Sequence, residues 1–487
     1  MSVKAIEQTI PPPWPHQIAG IEWALSHRAA YLDVRMGGGK SRMVVDYLDA
    51  LGAMAVLVIC PKAVVGDVWP REFPKWSGRD WDVVAWTEIG ASTEVRLRRA
   101  KERKKKAGFE QRPIALVLNY DALRSPAVED YLRSQKWAAA IYDEAQKLKS
   151  PKGKTSMAAA RISRSIERAL ALSGTPLPHS PLDAFAQFRA LDPSILGTSW
   201  WRFRNRYAML GGYQGKAVIG YQNQDELTAR MAQIMFSPPR GSVDLGLPEA
   251  QHIEVKVELS PKAKKLYTAL ARGVASGMEE GSINAANGLV KLLRMQQLAS
   301  GLAVVDTPVD EDASDEEIAR ILRGEVEAER EEIAVCDAKQ EALQTLIEGT
   351  DEPFVVFGVF RRDAQIARIA AEKAGASFAE LSGQADELAL WKRGERRVLF
   401  VQIASGAEGI DLTRSCYFAY LSTGFDMGRY LQSLARGHRP GQDRKVSFFH
   451  VRAVGTVDQY VARALEKRED LILSTLAQVA AAHATGA

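Results

Sequence analysis

The sequence predicts an α/β protein whose strands form parallel sheets in two lobes joined by a helical insertion. Three observations predict it. Short apolar runs bounded by turn residues recur along the chain, segments with helical spacing separate several of them, and the runs fall into two groups, before about residue 180 and after about residue 350. In the first group the runs are 56–60, 114–118, 138–142 and 169–172; in the second they are 353–357, 398–401 and 447–451. Continuous apolar runs suit strands covered on both faces, as in a parallel sheet. Residues 42–51 place Met43, Val44, Tyr47, Leu48 and Leu51 on overlapping helical faces, and the stretch 261–302 is largely helical in pattern. The expected domains are residues 1–237, an intervening stretch 238–334, and residues 335–487.

Composition excludes several classes. A chain of 487 residues with 46% hydrophobic and 25% charged residues is ordinary soluble protein, and at about 150 residues per domain it holds roughly two to four units. With 64 Lys+Arg against 60 Asp+Glu the formal charge is +4, so no bulk charge compels a nucleic-acid or membrane partner. Cys60, Cys336 and Cys416 lie far apart and form no CxxC pair or Cys/His cluster, which argues against a disulfide framework or zinc site. The longest apolar runs, such as 53–60, fall far short of the roughly 20 residues that span a bilayer. The expectation is a soluble intracellular monomer without a membrane partner. Charge is nevertheless uneven. Residues 95–106 (VRLRRAKERKKK) carry eight cations and one acid, a pattern open to either a solvated helix face or phosphate contact; residues 306–333 carry twelve acids against three arginines, which leaves the remainder appreciably basic.

Chemistry begins at 31–41 (YLDVRMGGGKS). Gly37, Gly38 and Gly39 can let backbone N–H groups wrap phosphate, Lys40 can reach the outer phosphates, and the Ser41 hydroxyl can ligate Mg²⁺ at a helix N-terminus. The strict GxxxxGK[ST] pattern fails, because Val34 stands where its first glycine belongs, so the motif alone leaves a plain glycine turn in competition. Residues 138–146 (AAAIYDEAQ) then put two acids at the end of an apolar strand. Strand ends on one edge of a parallel sheet converge on a phosphate loop, so Asp143 can hold the Mg²⁺ shell while Glu144 orients or deprotonates the attacking water.

From these two motifs onward the chain resembles helicase superfamily 2, and within it the Swi/Snf-type DNA-dependent ATPases and translocases. DEAQ resembles the DEAH box with Gln146 in place of histidine. LSGTP (172–176) resembles motif III, and PHQ (15–17) the adenine-reading glutamine motif. SGAEGIDLT (405–413) resembles motif V, and QSLARGHRPGQ (432–442), the most specific string, resembles motif VI. Residues 56–76 are similar to motif Ia with its following tryptophan, and 292–301 to the family's helical segment between lobes. The compact length and the stretch 200–221 resemble the short members encoded by bacteriophages, which implies the cytoplasm of a bacterial or virus-infected bacterial cell.

The resemblance implies two RecA-like lobes that bind ATP with Mg²⁺. Catalysis falls to Lys40, Asp143, Glu144, Arg436 and Arg439; Ser41 and Asp143 ligate the metal; Gln17, Gly37, Gly38, Gly39, Gly409 and Asp411 contact or sense the nucleotide. It implies sequence-independent contact with double-stranded DNA through Lys62, Lys147, Lys149, Lys152, Lys154 and Ser405, and an ATP-driven translocase that moves along duplex without obligatory strand separation. A strand-separating DNA or RNA helicase, and a nucleotide-gated remodelling module with little translocation, are the alternatives. Gln146, and Val34-Arg35 where the family usually carries acids, are departures from its pattern.

Overall fold

The structure, a computed structural model, describes residues 10–211, 217–239, 246–279, 294–305, 331–406 and 409–467. It divides into two compact units that part between Leu245 and Gly246. The first unit holds β1 (Ala29–Asp33), β2 (Ala55–Cys60), β3 (Asp82–Ala85), β4 (Ile114–Asn119), β5 (Ala139–Asp143), β6 (Arg168–Ser173), a hairpin of β7 (Ala208–Gly211) and β8 (Ala217–Tyr221), and β9 (Met235–Phe236). Apart from the antiparallel hairpin these strands form one parallel sheet, in the order β3-β4-β2-β5-β6-β1-β9. All five β1 residues are buried, as expected of a strand covered on both faces. One face is filled by Leu32, Val58, Ile141 and Leu172 against Met43, Val44, Tyr47 and Leu48 of the helix Lys40–Ala50, with Trp69 and Phe73 alongside.

The second unit contains β10 (Gln251–Val257), an antiparallel pair of β11 (Leu302–Val305) and β12 (Glu331–Ala334), then β13 (Phe354–Gly358), β14 (Phe378–Leu381), β15 (Val398–Gln402), β16 (Tyr417–Tyr420) and β17 (Ser447–Ala453). Its main sheet is parallel throughout, in the order β10-β17-β16-β13-β15-β14. The expected α/β class with two parallel sheets is therefore what the chain adopts. The seven strands read from apolar runs all form. Of the other strands in the two main sheets, β3, β9, β10 and β14 lie at a sheet edge and are short except for β10, which is exposed along most of its length, while β1 and β16 are interior strands of five and four residues. The strand β10 and the helix Pro261–Glu279 come from the stretch read as intervening chain, yet β10 is hydrogen-bonded along its length to β17, and Leu266, Leu270 and Leu298 join the second unit's core. Most of the acidic stretch 306–333 lies outside the described residues, as do residues 468–487, where a terminal helix of the second lobe is expected.

The basic run forms the helix Thr93–Phe109, and much of its charge is used within the lobe. Arg103 pairs with Asp82, Lys104 lies 4.5 Å from the Trp137 ring centroid, Lys101 lies 5.6 Å from that of Tyr131, and Arg96 Nε donates to Gly90 O at 2.6 Å. These contacts favour a docked helix over a purely phosphate-binding one.

Candidate active site

Parallel strands deliver their following loops to one edge of the sheet. The loop after β1, the acids ending β5 and the serine ending β6 therefore meet, because β6 is hydrogen-bonded between β5 and β1. The loop Val34–Gly39 has positive φ at Gly37 (78°) and at Gly39 (76°), the residue that precedes the helix Lys40–Ala50. Only glycine enters that region without steric cost. A Cβ on Gly38 would sit 2.5 Å from Val34 Cγ1, and one on Gly39 2.1 Å from Gln17 Nε2. Val34, the departure from the usual loop pattern, is thus the residue that Gly38 packs on. Lys40 Nζ donates to Val34 O at 2.9 Å, so its ammonium lies against the loop.

Gln17 and His16, at the start of the helix Pro15–Ser26, both reach this loop. Gln17 Nε2 donates to Gly38 O at 3.3 Å, and His16 Nε2 lies 2.9 Å from the same oxygen. Gln17 Oε1 also accepts from Trp14 N at 2.8 Å. The glutamine read as an adenine contact is in place beside the loop and 2% exposed, with both ends of its amide bonded to the protein.

Asp143 and Glu144 differ in environment. Asp143 Oδ2 accepts from Trp69 Nε1 at 3.3 Å, and Tyr120 Oη donates to Asp143 O at 2.7 Å. Burial, then the Glu144 charge beside it, push the Asp143 carboxyl up to about 7, while Lys40 and the Trp69 donor oppose the rise. Glu144 has φ 53°, a left-handed conformation unusual for a residue with a Cβ and of the kind that collects at functional sites. A relay reaches it from β6. Thr175 N donates to Ser173 Oγ at 2.9 Å, Ser173 Oγ to Gln146 Oε1 at 2.6 Å, and Gln146 Nε2 to Glu144 Oε2 at 2.6 Å. Gln146 and Ser173 are buried, so the relay is shielded from water. The replacement of histidine by Gln146 thus leaves a group that both accepts and donates, with no proton to lose near neutral pH.

The oxygen donors expected to hold the metal, the Ser41 hydroxyl and the Asp143 carboxylate, suit a hard cation such as Mg²⁺. Burial, followed by the Asp143 charge, pushes the Cys60 thiol at the end of β2 upward, so it is no nucleophile.

In the second unit, Arg436 and Arg439 lie at the end of the helix Met427–Gly437 and just beyond it. Arg439 Nη1 donates to Ile410 O at 3.4 Å, and Leu412 N donates to Arg436 O at 3.1 Å. Gln442 fixes the same join: its Nε2 donates to Ser415 O at 2.7 Å and to Thr413 O at 3.1 Å. Burial pushes the Asp411 carboxyl up, but the Thr413 N–H and hydroxyl, then Arg439 and Lys392, more than offset it and hold the group below its ordinary value. Gly409 is exposed at φ 78°. His438 Nε2 lies 2.8 Å from Pro248 O, the contact of a packing residue.

Among the expected DNA contacts, Lys62, Lys147, Lys152 and Lys154 are exposed on the first unit. Lys149 Nζ lies 2.6 Å from His179 Nε2, inside the lobe. The Ser405 side chain lies outside the described residues. The roles of Trp69 and Tyr120 in holding Asp143 escaped sequence reasoning. Trp69 stood in the motif Ia string but without an assignment, and Tyr120, one residue past β4, has no local pattern to mark it.

The SNF2-related domain family matches residues 16–302, more than half of the chain. The chain belongs to that family. As a family member it is an ATP hydrolase of helicase-like build. It is 25% identical to putative protein p41 of Acyrthosiphon pisum secondary endosymbiont phage 1, over 95% of this chain and 98% of that one. It is 23% identical to an uncharacterized ATP-dependent helicase of Mycoplasma genitalium over 95% of this chain and 42% of that protein. Against the mouse DNA annealing helicase and endonuclease ZRANB3 it is 24% identical over 74% of this chain and 32% of that protein. The SNF2-type chain thus spans nearly all of the phage protein and well under half of the cellular ones. A solved Sulfolobus solfataricus SWI2/SNF2 ATPase core in complex with dsDNA is 19% identical, covers 97% of this chain and 96% of its own, and superposes with a TM-score of 0.40.

Proposed function

We propose that this chain is an ATP-driven double-stranded DNA translocase that moves along duplex without obligatory strand separation, as a monomer in the cytoplasm of a bacterial or virus-infected bacterial cell. The observation that carries the reading is the convergence of the phosphate loop, the Asp143-Glu144 pair and the Ser173–Gln146 relay on one edge of the first sheet, in a chain of the SNF2-related family. Lys40 and the loop N–H groups bind the triphosphate, and Gln17 braces that loop. Glu144, oriented by Gln146, takes the proton of the attacking water. Ser41 and Asp143 would hold Mg²⁺, which supplies charge neutralisation at the phosphates. Arg436 and Arg439 of the second unit stabilise transition-state charge, a contribution worth roughly 10³ to 10⁵ in rate for an arginine finger, and Gly409 and Asp411 report nucleotide state to them. Lys62, Lys147, Lys152 and Lys154, with Ser405, contact the phosphate backbone without reading bases, and Lys149 braces their loop through His179. Double-stranded DNA bound in a relative's solved core is consistent with that partner, as is the phage protein with the proposed setting.

The test is the ATPase rate with no nucleic acid, duplex DNA, single-stranded DNA and RNA, beside triplex-displacement and strand-displacement assays. Stimulation by duplex with triplex displacement alone supports the proposal. Strand displacement, or preference for RNA, moves the protein to the unwinding class. Lys40→Ala is expected to weaken nucleotide binding, whereas Glu144→Gln retains bound ATP and stops turnover, since Asp143 survives.

A further inference from the structure

Gln17 leaves the base of the nucleotide under-recognised. Its carboxamide oxygen is held by Trp14 N, its nitrogen by Gly38 O, and only 2% of the residue is exposed, so little of the amide is offered to a ligand. The adjacent Trp14 is the opposite case. It is a large aromatic residue left 40% exposed immediately beside the phosphate loop. A Cβ built on Gly39 would lie 3.8 Å from Trp14 Cζ3, which puts the indole at the N-terminus of the phosphate-loop helix. Among the described residues of the first unit, the other large aromatic residues left exposed are Phe109 and Trp201; Phe109 ends the helix that leads into the start of β4, the sheet edge opposite the loop.

The mount of this indole is rigid. Trp14 stands between Pro11-Pro12-Pro13 and Pro15, whose rings fix φ on both sides. The carbonyls of Pro11 and Pro12 both accept from the Arg42 guanidinium, and Arg42 belongs to the helix Lys40–Ala50 itself. That guanidinium is in turn fixed by Asp46 at 3.2 Å and lies 4.6 Å from the Trp76 ring centroid. Phosphate loop and the backbone that carries the tryptophan are therefore braced by one helix, so that backbone is ordered before a ligand arrives.

We propose that Trp14 is the base-stacking wall of the nucleotide site, with its indole against the purine ring of ATP, while Gln17 acts as a positioning residue that sets loop and tryptophan together. The proposal rests on the reading that the loop 34–39 holds the nucleotide phosphates. Stacking recognises a π face and not a hydrogen-bond pattern, so it contributes affinity for the base without choosing strongly between purines.

The experiment compares binding of a non-hydrolysed ATP analogue, the matching GTP analogue and inorganic tripolyphosphate to the full chain with Mg²⁺, by calorimetry. Trp14→Ala is expected to weaken the ATP and GTP analogues alike by roughly tenfold or more, to leave tripolyphosphate within about twofold, and to be largely rescued by Trp14→Phe. If Trp14→Ala weakens tripolyphosphate as much as ATP, the ring only braces the loop and the proposal is overturned. It is overturned equally if ATP binding does not change. Lys40→Ala separates the two layers: it should weaken all three ligands, and if it weakens none, the site reading fails independently of Trp14.

Discussion

Gly39→Ala tests whether the phosphate loop is built as described, because two separable penalties meet at this residue. Gly39 has φ 76°, and an L side chain in the left-handed region costs about 1–2 kcal/mol. The new Cβ would also sit 2.1 Å from Gln17 Nε2. The amide must then withdraw from Gly38 O and from Trp14 N, two hydrogen bonds worth about 0.5–1.5 kcal/mol each. The sum is about 2–5 kcal/mol. Gly52 provides the control: its φ is 62°, but a Cβ there meets nothing within 4 Å. Gly52→Ala should therefore cost only the backbone term, about 1–2 kcal/mol, and the difference between the variants, about 1–3 kcal/mol, measures the Gln17 contacts. Denaturant unfolding followed by tryptophan fluorescence isolates the right unit, since of the ten tryptophans only Trp391 lies in the second. Equal destabilisation by the two alanines would refute the packing of Gln17 on the loop, and with it the bracing role assigned to that residue.

Four further outcomes are expected. Gln146→Ala removes a hydrogen bond to a carboxylate and should lower kcat by roughly tenfold or more with little change in KM for ATP, whereas a parallel rise in KM would show that Gln146 serves binding instead. Arg436→Ala and Arg439→Ala should keep ATP and DNA binding but lose most DNA-stimulated hydrolysis; full stimulation of both would remove the proposed arginine-finger role. Lys152→Ala with Lys154→Ala should keep basal hydrolysis, raise the duplex concentration for half-stimulation and flatten its salt dependence by about 0.9 in log–log slope per lost phosphate contact, and an unchanged slope would place DNA elsewhere. Burial, then the Arg452 and His252 charges, hold the His450 imidazole at about 3, below its unfolded value, so its stabilising contribution is complete above about pH 6.5 and is lost as pH falls toward 3. Second-unit stability should drop by about 2 kcal/mol between pH 7 and pH 5 in thermal melts, and a melt independent of pH over that range would contradict a neutral buried His450.

What the sequence discloses is what repeats or what chemistry restricts. Seven strands were legible because a strand buried on both faces must be apolar at every position, so its run stands out against polar turns. The strand β10 was not, because it lies at a sheet edge and alternates His252, Glu254 and Lys256 with Ile253, Val255 and Val257, which reads equally as surface loop. The same asymmetry holds at the site. Gly39, Lys40, Asp143 and Glu144 could be picked out because phosphate cradling and water activation permit few residue types at fixed spacings. Trp69 and Tyr120, which hold Asp143 by side-chain and backbone bonds, could not, because a tryptophan donor or a tyrosine hydroxyl can come from any neighbouring loop and only the fold says which.

Gln146 shows where the two kinds of legibility meet. Its place in the DEAQ string identified a departure from the family pattern, yet the consequence lies in geometry. An amide side chain can accept from Ser173 and donate to Glu144 at once, at 2.6 Å on both sides, and does not titrate. A histidine there could play both parts only as one tautomer of its neutral form and would lose its acceptor on protonation, so Gln146→His should introduce a fall in kcat below about pH 6.5 that the natural chain does not have. The substitution keeps the relay and adds only a titration. If the pH profiles of the two proteins coincide, the relay does not govern Glu144, and its role in hydrolysis has to be reassigned.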